Sequence, residues 1–134
     1  MKTLLVVEDE PAVMKLLRYM LTQYSLIEAT TAEEALRLFI DHDRRVDLLI
    51  ADLTLPQLSG IQVALLLRSE IPDLPVIITS GYPVIGWSNR DSADLKRLGS
   101  KSVAILEKPF DCTSLWDAVC ELIGAPQPAK VRTA

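Results

Sequence analysis

Five short apolar runs alternate with helix-period segments along the whole chain, and that alternation leaves few folds open. Leu4–Val7, Ser25–Thr30, Val46–Ala51, Val76–Ile78 and Val103–Leu106 are too short for helices and read as strands, the second being the weakest. Strands that are apolar on every residue, not every other one, belong to a parallel sheet covered on both faces. Between them, Pro11 opens a helix where its missing N–H costs nothing, and Val13, Leu16, Leu17, Met20 and Leu21 recur at helical spacing. Thr31 and Glu34 form a capping box for a helix whose Ala35, Leu36, Phe39 and Ile40 face the core. Ile61–Glu70 is a leucine-rich helix stopped by Ile71-Pro72. Asp111 or Thr113 caps a last helix carrying Leu115, Trp116, Val119, Leu122 and Ile123, which ends at Gly124. The expectation is one α/β domain over residues 1–124, a doubly wound (βα)5 unit, with a flexible C-terminal tail from 125 to 134.

Length and charge narrow the function. A chain of 134 residues is long enough for one core and too short for two. It lacks any apolar run near the ~20 residues of a membrane span. Its N-terminus meets acids at Glu8 and Asp9, unlike a signal peptide. A cytoplasmic protein without membrane insertion is expected. The net charge of −4 argues against direct nucleic-acid binding, which needs clustered Lys and Arg. Cys112 and Cys120 lie eight apart in one helix, about 12 Å along its axis, and read as half-buried thiols, not a disulfide. The single His42, in DHDRR, reads as a solvated loop residue.

Four of the five strands run directly into polar residues: Glu8-Asp9, Asp52, Thr79-Ser80-Gly81 and Lys108-Pro109. In open parallel sheets ligands bind outside the carboxyl ends of strands, so these groups converge on one edge. Three carboxylates sharing a site need a cation, and an all-oxygen set suits Mg2+ or Mn2+. Glu8-Asp9 taken alone reads equally well as helix N-terminal acids. Asp52 decides the matter, because an acid ending a strand as apolar as DLLIA needs a partner or a task.

The order and context of these residues resemble the receiver domain of two-component response regulators, over nearly the whole chain. The resemblance implies a flavodoxin-like sheet of order 2-1-3-4-5. Asp52, in DLTLPQLSG with Pro56 and Gly60 at family positions, would be the phospho-acceptor. Asp9 would ligate the metal directly, Glu8 mainly through water, and the backbone carbonyl of Thr54 would complete the protein ligands. Ser80 in ITSGY matches the switch hydroxyl, with Thr79 as neighbouring candidate and Gly81 as the small residue leaving room for the phosphoryl group. Lys108 would contact the phosphoryl group, and Pro109 follows it where the family often has a cis peptide. A receiver of this kind is a binding switch and not a turnover enzyme, with at most self-phosphorylation and autodephosphorylation. Its partners would be a histidine kinase or histidine phosphotransfer protein, a downstream protein, and a second copy through the face of the fourth helix, fifth strand and fifth helix.

Two features depart from that pattern. The aromatic often found three residues before the lysine is here Ile105, so the signal is expected to leave through the loop after Ser80 and the elongated segment that holds the fourth helix. The segment between Ser80 and Lys108 looks long and holds Trp87, read as a helix-packing residue or part of an altered partner surface, followed by SNRDSADLKR. Two rivals exist. A haloacid-dehalogenase-like phosphatase would need an acid where Thr54 stands, whereas a pseudo-receiver would dock without phosphorylation. Only ten residues follow Gly124, so the output of a freestanding chain would be protein–protein contact; a domain cut from a hybrid kinase is the alternative expectation.

Overall fold

A computed structural model describes residues 1–126. Five strands and five helices alternate: β1 (Thr3–Val7), α1 (Pro11–Met20), β2 (Ser25–Ala29), α2 (Ala32–Asp41), β3 (Leu48–Asp52), α3 (Gly60–Glu70), β4 (Val76–Ser80), α4 (Asn89–Leu98), β5 (Val103–Glu107) and α5 (Cys112–Ile123). A single 3₁₀ turn, Val84–Gly86, precedes α4. The sheet is parallel throughout and ordered β2-β1-β3-β4-β5, as expected. Most of the expected tail lies outside the described residues.

Strand alternation divides the core in two. Leu5, Val7, Leu49 and Ala51 pack under α2 and α3, while Leu4, Val6, Leu48 and Ile50 pack under α1 and α5. All five residues of β3 and of β4 are buried, whereas those of β5, at the sheet edge, are half-buried or exposed. Because both faces of the inner strands are covered, no polar alternation was available to them.

Several element ends moved. β3 reaches Asp52 and β4 reaches Ser80, beyond the apolar runs, because the ladder continues through them: Asp52 pairs with Thr79, and Lys108 N–H donates to Ser80 O at 2.7 Å. Val46 falls outside β3, where Asp47 instead caps the start of β1 by accepting from Thr3 N–H at 2.7 Å. Glu34 does reach back from α2, but to Thr30 N–H at 2.7 Å, one residue before the capping Thr31. Asp111, not Thr113, caps α5, accepting from Ser114 N–H at 2.8 Å. Ile40 does not face the core; on the last turn of α2 it is 54% exposed and lines a shallow groove with Leu66. Trp116 is also partly exposed, its indole N–H donating to Met20 O at 2.7 Å. α4 has ten residues, as do α1 and α2, and residues 81–88 form the loop between β4 and it.

Two local devices hold the site edge in place. Gly60 opens α3 against β3, and a Cβ there would lie 2.3 Å from the Asp52 carbonyl oxygen. Ser59 caps that helix in a full capping box with Gln62, a signal present in SGIQ. Arg68 then donates from α3 to the carbonyls of Leu74, Leu98 and Lys101 at 2.9–3.0 Å, tying α3 to the end of α4 and the approach to β5. Gly60→Ala should lower stability by about 1–3 kcal/mol, since backbone and not a flexible side chain must give way. An unchanged urea midpoint for this variant would contradict the close approach.

Candidate functional site

The carboxyl ends of β1, β3, β4 and β5 bring Glu8, Asp52, Ser80 and Lys108 to one edge of the sheet. β1 and β3 are neighbours, so Glu8 and Asp9 stand beside Asp52, and one oxygen from each of the three lies within 4.8 Å of the others. The Lys108 ammonium donates to Glu8 Oε1 at 2.8 Å and to Asp52 Oδ2 at 3.0 Å. The Lys108–Pro109 peptide is cis. Thr54 N–H donates to Asp52 Oδ1 at 3.1 Å, so both Asp52 oxygens are held.

The three acids differ in environment. Glu8 is 1% exposed and Asp52 5%, whereas Asp9 is exposed at the rim. Both Glu8 oxygens are engaged, Oε1 by Lys108 and Oε2 by Glu10 N–H at 3.2 Å. Burial pushes the Glu8 carboxyl up to about 7, and the nearby Asp52 carboxylate adds to this; the hydrogen bonds from Lys108 and Glu10 oppose it and lose. Burial pulls Lys108 down, but its bonds to Glu8 and Asp52 outweigh that and leave it above the ordinary lysine value.

The donor set fits a hard divalent cation: three carboxylates close together, one open to solvent, and a single ammonium where full charge balance needs more. Tetrahedral soft-metal ligation is not available here, because Cys112 and Cys120 are on α5 and His42 is at the end of α2. Both cysteines are free and half-buried, and His42 is exposed, with Nδ1 2.8 Å from Leu38 O.

Ser80 is buried at the end of β4. Its hydroxyl donates to Tyr82 O at 2.6 Å and accepts from the Trp87 indole N–H at 3.2 Å. Trp87 is thus buried in the loop before α4 as a partner of Ser80, a relation beyond the helix-packing role read from sequence; the six residues 81–86 separate the two, and no periodic signal joins them. Thr79 is buried and pairs with Asp52 in the ladder. Gly81 faces open space, and a Cβ there would meet no atom within 4 Å. Ile105 is half-buried and lines a shallow groove with Leu95 and Val103 on the α4–β5 side.

Residues 4–120 match the pattern of the response regulator receiver domain. The chain belongs to that family. As a receiver it is 38% identical over 112 residues to the response regulator GtcR of Aneurinibacillus migulanus, covering 82% of this chain and 43% of that protein. Among solved structures, it is similar to the chemotaxis protein CheY4 of Vibrio cholerae, with a TM-score of 0.77 at 21% identity over 91% of this chain and 98% of that one. It is also similar to the response regulator TrrA of Thermotoga maritima, solved in complex with Mg2+ and beryllofluoride, with a TM-score of 0.73 at 31% identity over 91% and 99% of the two chains. The receiver spans less than half the length of the curated relatives it matches. Receiver domains are signalling domains of two-component systems, and the acidic pocket of Glu8, Asp9 and Asp52 fits phosphorylation.

The raised Glu8 carboxyl predicts a pH dependence. The folded receiver keeps this proton up to about pH 7, whereas the unfolded chain releases it near 4.5. Between those values the folded state binds more protons, so the Glu8 contribution to stability falls as pH rises and is fully unfavourable above 7. Glu8→Gln should therefore match wild type near pH 4 and exceed it at pH 8 by roughly 1–3 kcal/mol without added metal. Saturating Mg2+ should narrow the gap. Urea unfolding at the two pH values measures this, and a gap that does not widen with pH would contradict the assignment.

Proposed function

We propose that Asp52 accepts a phosphoryl group from a histidine kinase or a histidine phosphotransfer protein, and that the receiver then signals through its α4–β5–α5 face. The observation that carries this reading is the position of Asp52, buried at the end of β3 between Lys108 and two further carboxylates. Asp9 and Asp52 would hold Mg2+ (or Mn2+) directly, together with the backbone carbonyl of Thr54, and Glu8 would act through a bound water. Asp9 is exposed while both Glu8 oxygens are already bonded, which supports that division. The ion, when bound, supplies charge neutralisation for the transferring phosphoryl group.

The protein groups have separable tasks. An Asp52 carboxylate oxygen attacks phosphorus, the bond to the donor breaks with its electron pair leaving on the donor, and an acyl phosphate results. Lys108 is placed to move its charge from the two carboxylates to the new phosphoryl oxygens. Ser80 would turn its hydroxyl to the same group, Gly81 leaving room beside it, with Pro109 setting the chain direction after Lys108. The unit that does this spans residues 1–124 and acts as a switch, without turnover beyond its own phosphorylation and dephosphorylation.

Partners follow from the surfaces. Among the described residues no helix is long and apolar enough to cross a membrane, and we place the receiver in the cytoplasm with its phosphodonor. An apolar groove of about 320 Å3, lined by exposed Leu16 with Met20 and Phe110, adjoins Lys108 and suits the donor's approach. Output would pass to a downstream protein or to a second copy of the chain, with no direct nucleic-acid contact.

Incubation with acetyl phosphate and Mg2+ should add one phosphoryl group to the intact mass of wild type and none to Asp52→Asn. An adduct of equal yield in that variant would overturn the reading. Separately, Asp9→Ala should weaken Mg2+ binding, followed by NMR shifts, by more than ~10-fold, and Glu8→Ala by less. Normal affinity in Asp9→Ala would refute the ligand assignment.

A further inference from the structure

Ser80 has one proton to give and gives it to the Tyr82 carbonyl, at 2.6 Å, while its oxygen also accepts from Tyr82 N–H at 3.2 Å, a bond that can persist as the proton turns. The Trp87 indole N–H is shared, 3.2 Å from Ser80 Oγ and 3.3 Å from that same Tyr82 carbonyl. One indole therefore touches both the hydroxyl and the acceptor that the hydroxyl occupies. Should Ser80 turn its proton to a phosphoryl oxygen, Tyr82 O would lose its closest donor. A partly buried carbonyl stripped of its partner resists such a change. Trp87 N–H is already within reach of it and needs only to shift from shared to single bonding.

We infer that Trp87 is a positioning residue for the phosphorylation switch: its indole N–H takes over the Tyr82 carbonyl and so releases the Ser80 hydroxyl toward Asp52. The inference rests on the reading of Asp52 and Ser80 proposed above. Packing alone explains a large ring at position 87, which is buried with Leu98 and Ile78 in the core under α3 and α4. It does not explain an N–H aimed at these two oxygens. Phenylalanine would keep most of the ring contacts and lose the donor. The same bond links the hydroxyl to the turn Val84–Gly86 and the start of α4, a path that does not use Ile105.

The test is a double-mutant cycle read by beryllofluoride titration in Mg2+, with half-saturation followed by backbone NMR shifts. Trp87→Phe should raise the half-saturating concentration about 3- to 10-fold, the value of one net hydrogen bond. In a Ser80→Ala background, Trp87→Phe should change it less than about twofold, because no hydroxyl remains to be released. Equal losses in both backgrounds would mark Trp87 as merely structural and overturn the inference, as would unchanged or tighter binding in the single variant. A second readout needs no substitution at 87. The Trp87 indole N–H resonance, identified as the one that survives Trp116→Phe, should move when beryllofluoride saturates wild type. It should already sit near that final position in ligand-free Ser80→Ala. A resonance that stays put in saturated wild type contradicts the exchange. Absence of any saturable response in wild type would instead overturn the reading of Asp52 itself, and the inference with it.

Discussion

Three carboxylates at the carboxyl ends of adjacent strands repel one another, and the rest of the edge is arranged around that repulsion. A like-charged pair about 4 Å apart at an effective dielectric near 20 costs on the order of 4 kcal/mol. Lys108 offsets part of this by standing between Glu8 and Asp52, with only 18% of its side chain exposed. One ammonium against three carboxyl groups leaves a deficit, and the Glu8 carboxyl, pushed up chiefly by its burial, is raised a little further by the Asp52 charge. The fold keeps the site short of positive charge, which is the condition a divalent cation would relieve. Gly60 and Arg68 serve the same end from outside, one by letting α3 press against the Asp52 backbone, the other by fixing α3 to the segment that leads into β5.

Much of this was legible in the chain because buried parallel strands carry an unbroken apolar signature. Leu4–Val7 and Val76–Ile78 could be nothing else at that length, and their order with the helices fixed the sheet type. The strand ends were harder. Asp52, Thr79 and Ser80 are polar, so pattern alone stops each strand before them, although the backbone ladder runs on. Glu8, Asp9, Asp52, Ser80 and Lys108 were readable because each lies within two residues of the end of an apolar run. The trio of Ser80, Tyr82 and Trp87 was not, since a side chain meeting a backbone carbonyl across a loop leaves no spacing rule in the sequence. Ile40 shows the opposite failure: helical periodicity placed it inward, but on the last turn of α2 it stands at the surface beside Leu66 of α3.

The loop between β4 and α4 holds the chain's most individual chemistry. An α4 of ordinary length shifts attention from the helix to the residues before it. There the Ser80 hydroxyl and the Tyr82 carbonyl share the indole N–H of Trp87, which lies within reach of both oxygens, so the set has more than one satisfied arrangement. A bistable element of this kind is what a switch requires, because a phosphoryl group can shift a population only by interacting better with one arrangement than the other.

The central claim is that chemistry at this edge ends on Asp52, and chemical trapping tests it at the level of the residue. Borohydride reduction of the receiver after exposure to acetyl phosphate and Mg2+ converts an aspartyl phosphate to homoserine, which tandem mass spectrometry of the digest can locate. The account predicts homoserine at position 52 and nowhere else. Homoserine at Asp9, the corresponding reduction product at Glu8, or a phosphoryl label held on another residue type would contradict it.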